Sequence, residues 1–347
     1  MGIDNIRLKN ITVFEELKMD FSKGINVIIG ENGTGKTTLL KMIYAACEWS
    51  NETTDKNKAK NIFNYFNYGK KDINLLKSYE RKDDYSVLEV ISENTKFELS
   101  LSNDGIFQLD KWLELGIKSI FIPTTEMLSH SKGFLAMNQK YSMPFDATQI
   151  DIIVNAELPE TREVSELNQK LLDLISKVID GEVIYENDTF YVVKNNGMKV
   201  EFSFEAEGLR KFGLLWKLIR NGLIEEDTIL FWDEPEANIN PELMPVLIDV
   251  LLELQRNGIQ IFIATHSYNL AKYFEIKRTE KDSVLFHNLY REKTTLQRKD
   301  NDEEKILASF ENKGVKAQSS EYFGKITNNP IIVADAKLFD EVIEKTF

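Results

Sequence analysis

Gly30-Glu31-Asn32-Gly33-Thr34-Gly35-Lys36-Thr37 fills every fixed position of the pattern G-x-x-x-x-G-K-[ST], the phosphate-binding loop. Ahead of it, Ile25, Val27, Ile28 and Ile29 make a short apolar run of strand type. Behind it, Thr38, Leu39, Leu40, Met42, Ile43 and Ala45 follow helical spacing. A strand, a glycine turn and a helix N-terminus in that order create an anion site, because the turn's backbone N–H groups and the unpaired N–H groups of the first helical turn point at one place. Gly30, Glu31, Asn32, Gly33, Thr34, Gly35, Lys36, Thr37 and Thr38 are therefore the expected phosphate-holding residues. Gly33 and Gly35 let the backbone approach an oxygen closely, Lys36 brings a point charge to the outer phosphates, and Thr37 offers a hydroxyl to a magnesium ion.

A second segment completes that chemistry. Ile229-Leu230-Phe231-Trp232 is an apolar run ending in Asp233-Glu234-Pro235-Glu236. A buried strand that delivers two consecutive carboxylates at its end is the usual partner of a phosphate loop: Asp233 for magnesium, Glu234 to orient or activate a water. Asn240-Pro241-Glu242 then starts a helix with a capping side chain, proline at the first position and an acid in the first turn. Its apolar positions are Leu243, Leu247, Ile248, Leu251 and Leu252, and Pro245 stands one turn in, where it is expected to disturb the start. Gln260 to Ala264 reads as a further strand carrying Thr265-His266-Ser267 at its end, where His266 reaches toward a γ-phosphate.

Together these residues resemble the ABC-type ATPase heads, and within them the bacterial AAA-family ATPases related to the SMC, RecF and OLD proteins. The resemblance rests on the phosphate loop, on Leu230 to Glu234 as the acidic strand, on Ala237-Asn238-Ile239-Asn240-Pro241 as the D-loop and on His266 as the switch histidine. It implies an α/β P-loop NTPase of ABC ATPase type: a mixed central sheet, an antiparallel N-terminal β subdomain and a short helical insertion. ATP and Mg2+ are the implied cofactors, and Lys36, Glu234 and His266 the implied catalytic residues. Two heads are expected to pair head to tail. Each would present Ala206, Glu207, Gly208 and Arg210 of a signature helix, with Asn238 and Asn240 of the D-loop, to the other's nucleotide. The signature departs from the family pattern, since Ala206 has no hydroxyl where a serine is usual. The customary glutamine after the strand Ile117–Ile122 is also missing. Thr124-Thr125-Glu126 stands there, with Glu126 either at the metal, beside Thr37 and Asp233, or a plain loop acid.

The remaining sequence bounds these expectations. With 347 residues, 42% of them hydrophobic, the chain reads as one two-lobed head over residues 1–347, with a helical insertion at 124–181 and a C-terminal strand/helix extension at 282–347. No apolar run approaches the roughly 18 residues of a membrane helix, and Met1-Gly2-Ile3-Asp4 carries no signal pattern. One cysteine, Cys47, suits a reducing cytoplasm. The formal charge of −13 argues against coating nucleic acid through the overall field, although a local basic groove stays open. Residues 3–9 and 17–21 read as strands, with Phe14 between them near a base or in the core. Tyr85–Val90 and Phe97–Leu101 read as a hairpin. Val183–Tyr185, Phe190–Val193 and Lys199–Phe204 read as a meander. Lys56 to Lys60 and the run around Asp300-Asn301-Asp302 read as solvated charge, so no nuclease element is expected, and the tail around Leu338, Phe339, Val342 and Ile343 reads as an amphipathic helix. The expected role is a nucleotide-driven clock that regulates a separate effector such as a nuclease or toxin. The alternatives are an ATPase that clamps DNA and a nucleotide sensor with negligible turnover.

Overall fold

Ile3–Ile11 (β1) turns back through Phe14–Asp20 (β2), and in this computed structural model the chain then delivers Ile25–Gly30 (β3) into the phosphate loop and the helix Lys36–Trp49 (α1). The structure describes residues 1–51, 64–66, 76–77, 85–101, 106–108, 112, 115–141, 143–291, 294–300, 303–309 and 314–346. The basic stretch from Lys56 to Lys60 lies outside them. Ser86–Ser92 (β4) and Thr95–Leu101 (β5) form the expected hairpin. Its turn is Glu93-Asn94 at φ 47° and 66°, the left-handed pair whose twist suits a two-residue connection. Ile106–Gln108 (β6) completes an antiparallel sheet in the order β2-β1-β4-β5-β6.

Ser119–Ile122 (β7) leads into three insertion helices, Phe134–Tyr141 (α2), Ala147–Glu157 (α3) and Glu166–Ile179 (α4). A small sheet follows, Gly181–Glu186 (β8), Thr189–Lys194 (β9) and Lys199–Glu201 (β10). Its third strand stops short of the expected Phe204, because Phe202–Phe204 tightens into a 3-10 turn. Phe202 leaves the strand to enter the core, where it lies against Gly213. A Cβ on that glycine would meet the phenyl ring at 2.9 Å.

The chain continues through Glu207–Arg220 (α5), Ile229–Asp233 (β11), Met244–Arg256 (α6), Gln260–Thr265 (β12), Tyr268–Lys277 (α7) and Val284–Tyr290 (β13). It ends with the hairpin Thr294–Asp300 (β14) and Glu303–Ser309 (β15), then Lys316–Ser320 (β16) and Pro330–Thr346 (α8). The acidic run near Asp300 thus closes a hairpin, while Asn301 and Asp302 lie outside the described residues. Pro245 falls in the first turn of α6, which a 3-10 turn over Pro241–Leu243 precedes.

The central sheet runs β16-β13-β3-β12-β11-β7, with β13, β3, β12, β11 and β7 parallel and β16 antiparallel at the edge. Both faces are covered, so its inner strands are mostly apolar and divide their side chains by the two-residue period of a strand. Ile25, Val27, Ile29, Leu230, Trp232, Ile261 and Ile263 enter one core with α4 to α7. Ile28, Phe231, Phe262 and Ala264 enter the other with α1 and the N-terminal sheet. In that second core Phe231 stacks on Phe262 at 5.1 Å across neighbouring strands. Phe14 belongs there too, fully buried.

Buried polar side chains tie the pieces together. Gln260 accepts from the Ile3 amide (2.7 Å) and donates to the Ile3 and Ser22 carbonyls (2.8 and 2.7 Å), fixing the N-terminal sheet to the central one. The insertion docks on α1, where Lys41 pairs with Asp146 (2.6 Å) and the Tyr44 hydroxyl donates to Asp151 (3.1 Å). Asp146 also caps α3 in a reciprocal box with Gln149. Burial, reinforced by Glu48, raises the Asp151 carboxyl to about 7. In α8, Ile331 and Ile332 pack on the core, whereas Leu338, Phe339, Val342 and Ile343 of the same amphipathic helix are exposed.

Candidate active site

The phosphate loop turns on two left-handed glycines, Gly33 at φ 77° and Gly35 at φ 87°. At Gly35 a side chain is excluded by space as well, since a Cβ would lie 2.7 Å from Phe14 Cζ and 2.8 Å from Val13 Cγ2. This contact is what Phe14 does for the site: it backs the loop from the core. Gly35 caps α1 without a side-chain bond, and no acid stands in the first turn, so nothing anionic competes for that helix end. Lys36 is buried and folds under the loop, donating to the carbonyls of Gly30 (2.7 Å) and Glu31 (3.1 Å). Desolvation lowers its pKa, and the nearby carboxylates of Glu234, Asp233 and Glu236 oppose that.

The acids come to the same sheet edge by register. Ala264 stands opposite both Asp233 and Ile28, so the C-terminal ends of β11, β12 and β3 lie side by side. Asp233 is buried and accepts the Thr37 hydroxyl at 2.9 Å. The Thr124 side chain also acts on it, favouring its charged form. Burial raises the Asp233 pKa and these two side chains pull the other way. Glu234 sits at φ 49°, a left-handed backbone that costs a residue with a side chain on the order of 1 kcal/mol. Its N–H still donates to the Ala264 carbonyl (2.8 Å), and its side chain meets His266 Nδ1 at 3.0 Å.

Sequence reasoning gave no role to Thr124 or Glu236, and read Lys211 only as a charge beside Arg210 in the signature helix. Lys211 of α5 is buried beneath the acidic turn and donates to the Glu234 carbonyl at 2.9 Å. Glu236 accepts the Thr265 hydroxyl, which in turn receives the Ser267 amide, so it braces the turn that presents His266. Its other oxygen is buried with no partner among the described residues, and burial raises its pKa. The doubled threonine before Glu126 and the second acid two residues past Glu234 were the available signals.

Glu126, read from the sequence either as a metal ligand or as a loop acid, is held within its own loop and by α5. Its carboxylate receives the Leu128 and Ser129 amides and pairs with Arg210 at 3.0 Å, so the residue of that loop that acts on Asp233 is Thr124. Arg210 is accordingly engaged within its own chain. The other signature and D-loop residues also contact each other. Ala206 caps α5 without a side-chain bond, and Asn238 donates to Glu207 (2.7 Å). Gly208 lets the helix approach the D-loop, because a Cβ there would stand 2.8 Å from the Asn238 carbonyl. Asn240 makes the expected cap, accepting the Glu242 amide at 3.1 Å.

A family model described as "AAA domain, putative AbiEii toxin, Type IV TA system" matches residues 54–272, more than half of the chain. The chain belongs to this AAA family. The matched span of this AAA protein holds Asp233, Glu234 and His266, and the phosphate loop precedes it. Among curated proteins, it is 27% identical over 194 residues to the DNA replication and repair protein RecF of Ligilactobacillus salivarius, covering 54% of this chain and 47% of that one. It is 44% identical over 50 residues to the DNA double-strand break repair Rad50 ATPase of Pyrococcus abyssi, 14% of this chain and 6% of that one. The matches thus span less than half the length of these relatives. An Smc head domain with an extended coiled coil, bound to the C-terminal domain of ScpA derived from Pyrococcus furiosus, has the same fold. Its TM-score is 0.52 at 12% identity, covering 98% of this chain and 99% of that one. The AAA protein therefore has the fold of an Smc head and is similar in sequence to RecF and Rad50.

The donor set suits magnesium. Thr37, Thr124 and Asp233 offer hard oxygens, and a single buried carboxylate with hydroxyls matches an ion that takes few protein ligands beside phosphate oxygens. Among the described residues no helix is long and apolar enough to cross a membrane.

Proposed function

We propose that this AAA protein binds ATP with magnesium and hydrolyses it, and that two copies closing head to tail regulate an effector. The supporting observation is the convergence of Lys36, Thr37, Asp233, Glu234 and His266 on one edge of the sheet. The loop amides and Lys36 hold the phosphates, while Thr37 and Asp233, steadied by Thr124, hold the metal. Magnesium, when bound, neutralises charge on the phosphate oxygens. Glu234 accepts a proton from water at its carboxylate, and its left-handed backbone and the His266 contact set the direction of that carboxylate. Lys211 and Glu236 position the two turns that carry these groups. Ala206, Glu207, Gly208 and Arg210, with Asn238 and Asn240, face the second copy's nucleotide. Arg210 must first exchange its Glu126 partner to do so.

The family's description, a putative AbiEii toxin of a type IV toxin–antitoxin system, supports a role in a toxin-type system. A second reading, a DNA-maintenance ATPase, draws on the likeness to RecF and Rad50. ATP-dependent DNA retention that weakens steeply with salt separates the second from the first. Hydrolysis itself is tested by steady-state phosphate release. Glu234→Gln is expected to slow it about a hundredfold and, by mass measurement, to accumulate an ATP-dependent dimer. Equal, slow release from wild type and variant leaves a nucleotide sensor in place of an enzyme.

A further inference from the structure

Strand β13, which lies between β16 and β3, ends beside the phosphate loop. Leu289 stands opposite Gly30 in the parallel register, and the two backbones touch closely enough that a Cβ on Gly30 would lie 2.5 Å from the Leu289 carbonyl. Two residues further on, Arg291 donates from its guanidinium to the carbonyl of Gly33, at 3.2 Å. Gly33 is at the open tip of the loop, where a Cβ would meet nothing within 4 Å. The phosphate loop therefore carries a cation on each side: Lys36 buried underneath and Arg291 exposed at the tip. Arg291 belongs to neither the loop motif nor the acidic strand.

Its surroundings point to an anion. A guanidinium has five donors, and the bond to Gly33 uses one of them, at the long end of the hydrogen-bond range. Acids outnumber bases 56 to 43 in the sequence, yet no carboxylate pairs with Arg291 among the described residues. A neutral carbonyl is a weak acceptor beside a phosphate oxygen, whose charge-assisted bond is about twice as strong. We propose that Arg291 is a nucleotide-binding residue, exchanging the Gly33 carbonyl for the outer phosphates of the bound triphosphate. The planar fork suits two oxygens at once, which an ammonium at this place would not match.

This proposal rests on the loop being an ATP site, and equilibrium titration of the full chain separates the two. ATP, ADP and AMP are titrated against the Glu234→Gln parent and the same chain carrying Arg291→Gln, Arg291→Lys or Lys36→Ala. Arg291→Gln is expected to weaken ATP about tenfold and to leave AMP unchanged, with Arg291→Lys between it and the parent. The melting point of the nucleotide-free Arg291 variants should stay with the parent, because the side chain is exposed. ATP affinity within twofold of the parent in Arg291→Gln, or an equal loss for AMP, overturns the proposal. Loss of ATP with Lys36→Ala but not with Arg291→Gln discards Arg291 alone and keeps the ATP site. A parent that binds no ATP discards both.

Discussion

Two hydroxyl side chains act on Asp233: Thr37, from the helix after the phosphate loop, donates to it, and Thr124, from the loop after β7, favours its charged form. A hydroxyl is both a donor to a carboxylate and an oxygen for a cation, so either side chain can serve both tasks. Replacing Thr124 by valine keeps the shape and removes the oxygen. The expected outcome is a several-fold rise in the magnesium concentration giving half-maximal phosphate release, with ATP affinity in excess magnesium nearly unchanged. An unaltered magnesium titration would remove Thr124 from the site. The motif residues were legible because phosphate chemistry fixes their spacing along the chain. Thr124, Lys211 and Glu236 were not, since their roles come from which strand ends and helix flanks become neighbours, and sequence spacing does not record that. Spacing also left two readings open for Glu126, because the Arg210 guanidinium that captures it stands 84 positions away in sequence.

At the scale of elements, the insertion is fastened to the helix that carries Lys36. Lys41, Tyr44 and Glu48 of α1 all act on acids of α3 or on groups around them. Asp151 titrates at about 7 there, against about 4 in an unfolded chain. The folded state therefore binds the extra proton between those values, and this residue's contribution to stability falls as pH rises from 4 to 7. Asp151→Asn removes that slope. Relative to wild type, the variant should gain stability steadily over this window in chemical denaturation. A constant difference across it would refute the buried, protonated Asp151. The strand pattern was largely readable in advance because central strands are mostly apolar on both faces. The third meander strand was overextended, since Phe202 reads as a strand residue until Gly213 is known to make room for its ring.

Over the whole molecule, two cores meet across one sheet, and the candidate site lies at the C-terminal edge where both contribute. The N-terminal sheet is held by Gln260 and backs the loop through Phe14, whereas α5 supports the acids from the other face through Lys211. The acidic turn also holds like charges side by side. Asp233, Glu234 and Glu236 crowd within four positions, and Glu234 adopts a backbone better suited to glycine. It follows that selection for heat resistance alone would erode this protein's turnover. Glu234→Gly should melt roughly 1–2 °C above wild type while releasing almost no phosphate, and a lower melting point would contradict this. A thermostability screen run without an activity assay would enrich dead enzymes.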